Sequence, residues 1–341
     1  MKRILPLVLL LVLLLGGCAS VPSAPADKQY TATFLTLFDT VTTIVGRAES
    51  EEAFHAKAQD IHDTLLFYHR LFDIYTDYEG INNLKTVNDN AGIAPVKVDR
   101  AVIDLLTDCK AYCEATNGSV NAAMGSVLYL WHEARSDSLN DPANAYIPDD
   151  SALKDASMHT DFASVIIDEA ASTVYISDPS LRLDVGAIAK GWSVQKTAEK
   201  APDGMLISVG GNVCATGPKD ENGTPWVIGI QNPDGEDYLH TVYLKRGSVV
   251  TSGDYQRAYS ANGKIYHHII DPETLYPSGY FRSVTVICPD SGAADALSTA
   301  LFVLPQEEGQ ALLEKYAAEA MWVDAEGNIL YSPGFKELIR T

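Results

Sequence analysis

The sequence predicts an α+β fold made of mostly antiparallel sheets with packed helices. From residue 163 onward, short strand-like segments follow one another directly, and only two helical segments lie among them. Strands that are linked directly, with helices grouped between them, are typical of α+β folds rather than of a doubly wound parallel sheet. We find no internal repeat, and a length of 341 residues fits one large domain or two modest ones.

The N-terminal residues have the pattern of a bacterial lipoprotein signal. A basic start is followed by an almost entirely apolar run over residues 4–15 and then by Leu-Gly-Gly-Cys, which ends at Cys18. An apolar run this short is typical of a signal peptide, whereas a membrane span needs about 20 residues. Leu-Gly-Gly-Cys resembles a lipobox, so we predict removal of residues 1–17 and a lipid anchor on Cys18. The alternative is an ordinary secretory signal with a chance cysteine.

The predicted anchor places the protein on the extracytoplasmic face of a bacterial membrane. Residues 18–30 are rich in Pro, Ala and Ser and are predicted to form a flexible tether from the lipid to the domain. The remaining chain, residues 31–341, is predicted to be the folded part. The four cysteines that follow Cys18 are predicted to be buried thiols rather than disulfides or zinc ligands.

The charge balance limits the partners of the protein. Asp and Glu number 45 against 25 Lys and Arg, which gives a formal net charge of −20. Because nucleic acids and anionic lipid headgroups are polyanions, this charge argues against both as binding partners. Lipid chains anchor through their buried CH₂ groups, so an acidic protein can still be held at a membrane without a basic patch.

The first half of the domain is predicted as follows, in chain order. Residues 31–45 are rich in Thr, Val and Phe and predict one or two strands. Apolar residues at helical spacing predict helices over 50–68 and 99–116, and the second ends at Asn117-Gly118. Residues 77–92 are Asn- and Gly-rich and predict a long loop, while the polar residues 137–155 predict a surface excursion.

The second half is predicted to consist of short strands with two helices among them. Alternation and apolar content indicate the strands, and small residues at helical spacing indicate the helices. The predicted strands are 164–168, 173–176, 205–209, 226–230, 241–244, 248–251 and 283–288, and the predicted helices are 186–200 and 292–304.

Two glycine-rich strand ends could bring backbone close to a ligand. Residues 183–191 run from an apolar strand end through Asp184 and small residues into a helix that carries Lys190. Small residues allow close approach, and a helix N-terminus offers free N–H groups to a phosphate. A surface lysine after an ordinary turn explains the segment equally well. Residues 208–212 fit either backbone contact with a polar ligand or a tight turn.

Two adjacent histidines, His267 and His268, lie in a predicted strand. Neighbouring residues of a strand point to opposite faces, so at most one of them serves a given site. A histidine of the core or the surface is the alternative.

The helix over residues 293–304 carries the sharpest local signal. Leu297, Ala300, Leu301 and Leu304 form an apolar stripe, and Asp295 and Thr299 fall on the opposite face, one turn apart. Since Asp295 is the only charge in these residues, the helix is predicted to be buried on most sides. A buried carboxylate needs a cation or several donors. Its oxygen and the Thr299 hydroxyl suit Mg²⁺, and the alternative is an Asp that accepts hydrogen bonds from backbone.

Taken together and in this order, these segments resemble the FAD:protein FMN transferase (ApbE) family over residues 31–332. The likeness is most specific at 184–191, 268–272 and 294–304. It implies a single catalytic domain related to the T-fold. It also implies a Mg²⁺-dependent reaction that cleaves FAD at its pyrophosphate, joins FMN by a phosphoester to a Thr or Ser hydroxyl of a target protein, and releases AMP. Members of the family are often lipoproteins, in agreement with Cys18.

The resemblance also implies roles for individual residues. Asp295 and Thr299 would bind Mg²⁺ together with the backbone carbonyl of Ala187. The residues that would contact FAD are Phe38, Tyr78, Ser119, Val120, Asn121, Asp184, Lys190, His268 and Ile269. For the tyrosine beside the flavin ring, spacing favours Tyr78, and Tyr75 also fits locally. Residues 116–121 (TNGSVN) resemble the Thr-Asp-Gly-Ala-Phe-Asp segment of the family, with Asn in place of both acids.

The chemistry of the reaction agrees with this resemblance and leaves some alternatives open. The net charge would repel the phosphates of FAD, and a bound Mg²⁺ with Lys190 would neutralise them locally. His268 and Asp295 are both candidates for the base that takes the proton of the acceptor hydroxyl. The alternatives are an FAD pyrophosphatase that yields FMN and AMP, and a non-catalytic flavin-binding lipoprotein. The implied protein partner is a target flavoprotein subunit of a membrane or extracellular redox system.

Overall fold

The computed structural model describes residues 27–341. The predicted signal peptide, Cys18 and most of the predicted tether lie outside this range. The first strand begins at Lys28, so residues 28–30 belong to the domain and not to the predicted tether. Within the described range, no helix has the length and apolarity needed to cross a bilayer.

The described part of the chain contains eight helices and fifteen strands, and four single turns of 3₁₀ helix connect some of them. In chain order the helices and strands are β1 (Lys28–Leu37), β2 (Thr40–Ala48), α1 (Glu51–Phe72), α2 (Leu84–Asp89), β3 (Val96–Lys97), α3 (Arg100–Ala115), α4 (Gly125–Asn140), α5 (Asp150–Ser157), β4 (Val165–Asp168), β5 (Thr173–Ile176), α6 (Ala189–Ala198), β6 (Met205–Val209), β7 (Asn212–Ala215), β8 (Trp226–Gln231), β9 (Tyr238–Leu244), β10 (Gly247–Gly253), β11 (Tyr259–Ala261), β12 (Lys264–Tyr266), β13 (Phe281–Cys288), α7 (Ser291–Val303), α8 (Gln306–Lys315), β14 (Glu319–Asp324) and β15 (Ile329–Tyr331).

An eight-stranded sheet in the order β1-β2-β6-β7-β10-β13-β14-β15 forms the centre of the fold. Every neighbouring pair in it is antiparallel. The predicted α+β fold with mostly antiparallel sheets is therefore confirmed. Smaller sheets are formed by β3-β5-β4, by the hairpin β8–β9 and by the hairpin β11–β12.

The two faces of the large sheet pack against different layers. Side chains alternate along each strand, so Val286 and Trp322 face the helices, while the next residues, Ile287 and Val323, face the hairpin β8–β9. The helical layer contains α1, α6, α7 and α8. Burial of both faces explains why the central strands β10 and β13 are apolar or small along most of their length.

Two segments predicted as irregular contain helices. Within residues 77–92, α2 begins after Asn83, whose side chain accepts a hydrogen bond from the Thr86 N–H at 3.1 Å. Only Leu84 and Val87 of this helix are buried, which is too few for a helical period to stand out. Within residues 137–155, α4 continues to Asn140 and α5 begins at Asp150, so the predicted surface excursion is a short connection between two helices.

Helix α7 is buried on nearly all sides, as its sequence predicts. All of its residues except Thr299 are buried, including Asp295, which is 3% exposed. Asp290 begins the helix by accepting a hydrogen bond from the Ala293 N–H at 2.8 Å. The Ser298 hydroxyl donates to the Asp295 carbonyl at 2.9 Å and lies 2.8 Å from the Ser252 hydroxyl of β10, which fixes the helix on the sheet.

Candidate active site

A cavity of about 570 Å³ opens beside α7, where α4, α6, the turn between β6 and β7 and the segment after β12 meet. Its size is within the usual range for a small-molecule site. Of the twelve site residues predicted within the described range, ten line this cavity: Ser119, Val120, Asn121, Asp184, Ala187, Lys190, His268, Ile269, Asp295 and Thr299. Residues that lie far apart in the sequence thus share one cavity.

Asp295 is held by residues of the neighbouring helix α6. One carboxylate oxygen accepts a hydrogen bond from the Gly191 N–H at 2.8 Å, and the other lies 3.4 Å from the Lys190 Nζ. Lys190 Nζ also lies 3.5 Å from the Gly186 carbonyl oxygen. A nearly buried carboxylate needs such partners to offset its loss of water. The helix crossing therefore fixes the Asp295 carboxylate at the cavity wall.

The donor atoms near Asp295 suit a hard divalent cation. Thr299 lies one turn further along α7, and its hydroxyl has no hydrogen-bond partner among residues 27–341, while Ala187 lines the same cavity. No group of three His, Cys, Asp or Glu side chains that could hold a metal occurs within that range. Mg²⁺ does not require one, because it is often held by one or two carboxylates together with water and substrate phosphates. The side chains present fit a site for Mg²⁺ that a phosphate ligand completes.

The segment before α6 is held in place by a distant asparagine. The Asn88 side chain accepts from the Leu183 N–H at 2.8 Å and donates to the Leu183 carbonyl at 3.0 Å. Asp184 then accepts from the Gly186 N–H at 2.8 Å, which closes a tight turn into the helix. Burial raises the pKa of Asp184, and the Gly186 N–H opposes that shift. Asp184 is thereby positioned on the cavity wall.

The two adjacent histidines have different surroundings. His267 is buried, its Nε2 lies 2.9 Å from the Ser278 carbonyl oxygen, and its Nδ1 accepts from the Ile269 N–H at 3.2 Å. These partners assign the proton to Nε2 and make His267 a structural residue. His268 is exposed to the cavity. The prediction of a strand here is wrong, because β12 ends at Tyr266 and irregular backbone turns His268 toward the cavity.

The ionisation of His268 is affected by its position in the cavity. Loss of solvent lowers the pKa of His268, and the positive charges of Arg257 and Lys190 lower it further. A lowered pKa keeps the imidazole neutral near pH 7, and a neutral imidazole can accept a proton.

The stretch from Ser119 to Asn121 enters the cavity through a left-handed turn. Asn117 and Gly118 both have positive φ, of 50° and 84°, which ends α3 and redirects the chain. Asn121 accepts from the Ala123 N–H at 2.8 Å and donates to the Thr160 carbonyl at 2.8 Å. The second bond requires an amide, which an ionised Asp in this place could not supply.

Two predicted residues, Phe38 and Tyr78, do not line the cavity. The Tyr78 hydroxyl donates to Asp73 at 2.8 Å, and it is Tyr75 that lies on the cavity wall, stacked on His132 with ring centroids 4.8 Å apart. Of the two tyrosines considered for the flavin ring, Tyr75 lines the cavity and Tyr78 does not. Phe38 lies behind the cavity, with its ring edge against His69, while the next two residues along the chain line the wall.

A comparison with known proteins identifies the family. The family model described as "ApbE family" matches residues 38–322. The chain belongs to the ApbE family. It is 34% identical over 277 residues to the FAD:protein FMN transferase of Treponema pallidum, covering 75% of each chain. It is 32% identical over 282 residues to one of Klebsiella pneumoniae, covering 77% of this chain and 84% of that protein.

A solved structure supports the same assignment. The crystal structure of the ApbE protein of Thermotoga maritima has a TM-score of 0.81 and 30% sequence identity, and the match covers 92% of this chain and 100% of that one. The residues matched by the ApbE family model include every residue that lines the cavity.

Helix α4 of this ApbE protein contributes cavity residues that were not predicted from the sequence. Met124, just before the helix, and Leu128, His132 and Arg135 within it line the cavity at helical spacing. The signal was present in the sequence, since these residues recur every three or four positions. It was hidden because the cavity side of the helix carries both apolar and basic residues and therefore does not stand out as an apolar stripe.

The charged side chains that line the cavity are balanced. Three are acidic, Asp39, Asp184 and Asp295, and three are basic, Arg135, Lys190 and Arg257. In a protein with a net charge of −20, the cavity thus carries as many basic as acidic side chains. The cavity of this ApbE protein is therefore close to neutral and does not by itself offset a doubly charged ligand.

Proposed function

We propose that this ApbE protein is an FAD:protein FMN transferase, like the relatives that carry that name. In the proposed reaction, the oxygen of a Thr or Ser hydroxyl on a target protein bonds to the FMN phosphorus. The bond from that phosphorus to the oxygen bridging the two phosphates of FAD breaks, and AMP leaves. The observation that carries the proposal is the cavity. Its wall brings together the buried Asp295 carboxylate, the Thr299 hydroxyl, which has no hydrogen-bond partner among residues 27–341, Lys190, and the cavity-exposed His268.

We propose Mg²⁺ as the resident metal, held by Asp295, the Thr299 hydroxyl and the Ala187 carbonyl. When bound, the ion would neutralise phosphate charge and stabilise the charge that develops on the leaving group. Each phosphate of the FAD pyrophosphate is negative, and the three acidic side chains of the cavity offset its three basic ones. A divalent cation supplies the missing positive charge.

The residues of the chain would contribute positioning and proton transfer. Phosphoryl transfer depends chiefly on alignment and on electrostatic stabilisation. Lys190 would direct a positive charge toward the phosphates from its place beside Asp295. We propose His268 as the group that accepts the proton of the acceptor hydroxyl, because it opens to the cavity, whereas both oxygens of Asp295 already have partners.

The central test is transfer itself. Purified protein mixed with FAD, MgCl₂ and a target domain is expected to yield AMP and a target band that remains fluorescent in a denaturing gel. Release of AMP and free FMN at the same rate without any target would instead identify a pyrophosphatase. Binding of FAD with no AMP in either case would identify a flavin-binding protein.

The proposed role of His268 predicts a particular pH dependence. The base form is present above the pKa, and because the pKa is lowered from its ordinary value of 6.5, that form persists below pH 6.5. We expect the acid limb of kcat/KM, which reports the free enzyme, to have its midpoint below 6.5. In His268→Gln this limb should disappear. A limb at or above that ordinary value, or one that persists in the variant, would assign the proton to another group.

We further propose that the protein works at the extracytoplasmic face of a membrane, anchored through lipid on Cys18. Its target would be a flavoprotein subunit of a membrane or extracellular redox system. The signal-like pattern of residues 1–18 supports this location. Mass spectrometry of the processed N-terminus, with Cys18→Ser as the control, tests the lipid directly.

A further inference from the structure

Two arginines of the cavity have no role in the reaction described so far. Arg135 lies on α4 and Arg257 in the loop after β10, and both line the cavity. Lys190 is paired with Asp295, but neither guanidinium forms an ion pair with a carboxylate among residues 27–341. Their polar contacts there are with uncharged atoms: Arg257 donates to the Phe38 carbonyl at 3.3 Å, and an Arg135 nitrogen lies 3.5 Å from His132 Nδ1.

The arrangement is unfavourable without a ligand. Arg135 is partly buried, and its pKa is lowered by that burial and next by the positive charge of Arg257. Arg257 also adopts a positive φ of 46°, which is uncommon for a residue with a side chain. The acidic groups on nearby walls, Asp39 and Asp184, do not reach ion-pairing distance of either guanidinium. An anion that contacts both guanidinium groups would relieve the repulsion.

We propose that Arg135 and Arg257 form an arginine fork that binds one phosphate of the FAD pyrophosphate. The inference rests on the proposed function, which makes FAD the ligand of this cavity. Guanidinium groups present several N–H donors in a plane and match phosphate oxygens in pairs.

The position of His268 supports a phosphate at this place. His268 lines the same cavity as Arg257 and Lys190, and, next to loss of solvent, the positive charges of both lower its pKa. A pyrophosphate that contacts both basic side chains would therefore share the cavity with His268. The fork would then hold one phosphate while Lys190 and Asp295 lie beside the other.

Binding titrations with ligands that differ in phosphate content test the fork. We expect Arg135→Gln and Arg257→Gln each to weaken FAD binding, in the presence of MgCl₂, by about tenfold to a hundredfold, the usual effect of a hydrogen bond to a charged group. Riboflavin, which has no phosphate, should bind both variants and the unchanged protein equally. Titrations with FMN and with AMP identify which phosphate the fork binds. The ligand that binds the Gln variants more weakly than the unchanged protein is the one that carries this phosphate.

Two further variants distinguish phosphate binding by the fork from a general loss of positive charge. Arg100→Gln removes a positive charge from an exposed ion pair on α3, outside the cavity, and should leave FAD binding unchanged. Arg257→Lys keeps the charge without the planar donors and should give an intermediate loss. If riboflavin weakens as much as FAD, the arginines contact the flavin ring and the proposal is wrong. It is also wrong if neither Gln variant changes FAD binding.

These titrations need no target protein. If the unchanged protein binds FAD but transfers no FMN, the proposed function is wrong. The binding titrations still decide whether the fork binds a phosphate of FAD. Arg257 is exposed, so Arg257→Gln still tests the fork even if Arg135→Gln lowers the stability of α4.

Discussion

Replacement of Asp295 by asparagine is expected to reduce FMN transfer by about two to three orders of magnitude, the scale of lost phosphate-charge stabilisation at a metal site. The change preserves shape, and the asparagine oxygen can still accept from the Gly191 N–H. What is lost is the negative charge. Lys190 then has no carboxylate partner at its helix crossing, and the oxygen ligands proposed for Mg²⁺ lack their only anion.

Asp290→Asn is the matched control for this change. Asp290 begins the same helix by accepting from the Ala293 N–H, and asparagine begins helices equally well, so we expect transfer and stability close to those of the unchanged protein. Rates would be measured over a range of MgCl₂ concentrations, and binding of Mn²⁺ in the presence of FAD by calorimetry. Equal rates for the two variants, or undiminished Mn²⁺ binding by Asp295→Asn, would rule out Asp295 as the metal carboxylate.

The elements that the sequence predicts well are those whose pattern is local. Strands β5 and β6 have the predicted bounds, because apolar and β-branched residues at 173–176 and 205–209 indicate a strand without reference to any distant partner. The burial of α7 follows from a single charge among apolar and small residues, and the structure bears it out. For the same reason, the sequence alone singles out Asp295 and Thr299.

The features that the sequence leaves undecided depend on contacts or directions that local pattern does not carry. Tyr75 and Tyr78 are three positions apart in irregular chain, and which of them faces the cavity is decided by Asp73. Its carboxylate accepts from the Tyr75 N–H at 2.7 Å and from the Tyr78 hydroxyl at 2.8 Å, which turns the second ring away. The fork residues Arg135 and Arg257 likewise lie far apart in the sequence, and only the fold brings both to one cavity.

Local sequence pattern also does not predict the close contact between α6 and α7 at Gly191. Substitution of this glycine is the second change for which we expect a large effect. Gly191→Ala should lower the free energy of unfolding by about 3 kcal/mol, the upper part of the range for overpacking a tight contact. A Cβ at this position would overlap the Ser291 carbonyl oxygen and the Asp295 Cβ. In an exposed helix the same change would be stabilising by about 1 kcal/mol, since alanine is the better helix former. Whether Gly191→Ala raises or lowers the free energy of unfolding therefore depends on the contact between α6 and α7.

The consequence of Gly191→Ala extends to the site, because the Gly191 N–H holds Asp295 and the next residue toward the N-terminus is Lys190. If the two helices move apart, Asp295 is displaced, so transfer should fall along with stability. Denaturant unfolding measures the first effect and the fluorescent-band assay the second. Gly279→Ala is the control, since its added Cβ meets no atom within 4 Å, and it should leave both quantities unchanged. Wild-type stability in Gly191→Ala would mean that the helices can separate at little cost and that Asp295 is not fixed by this crossing.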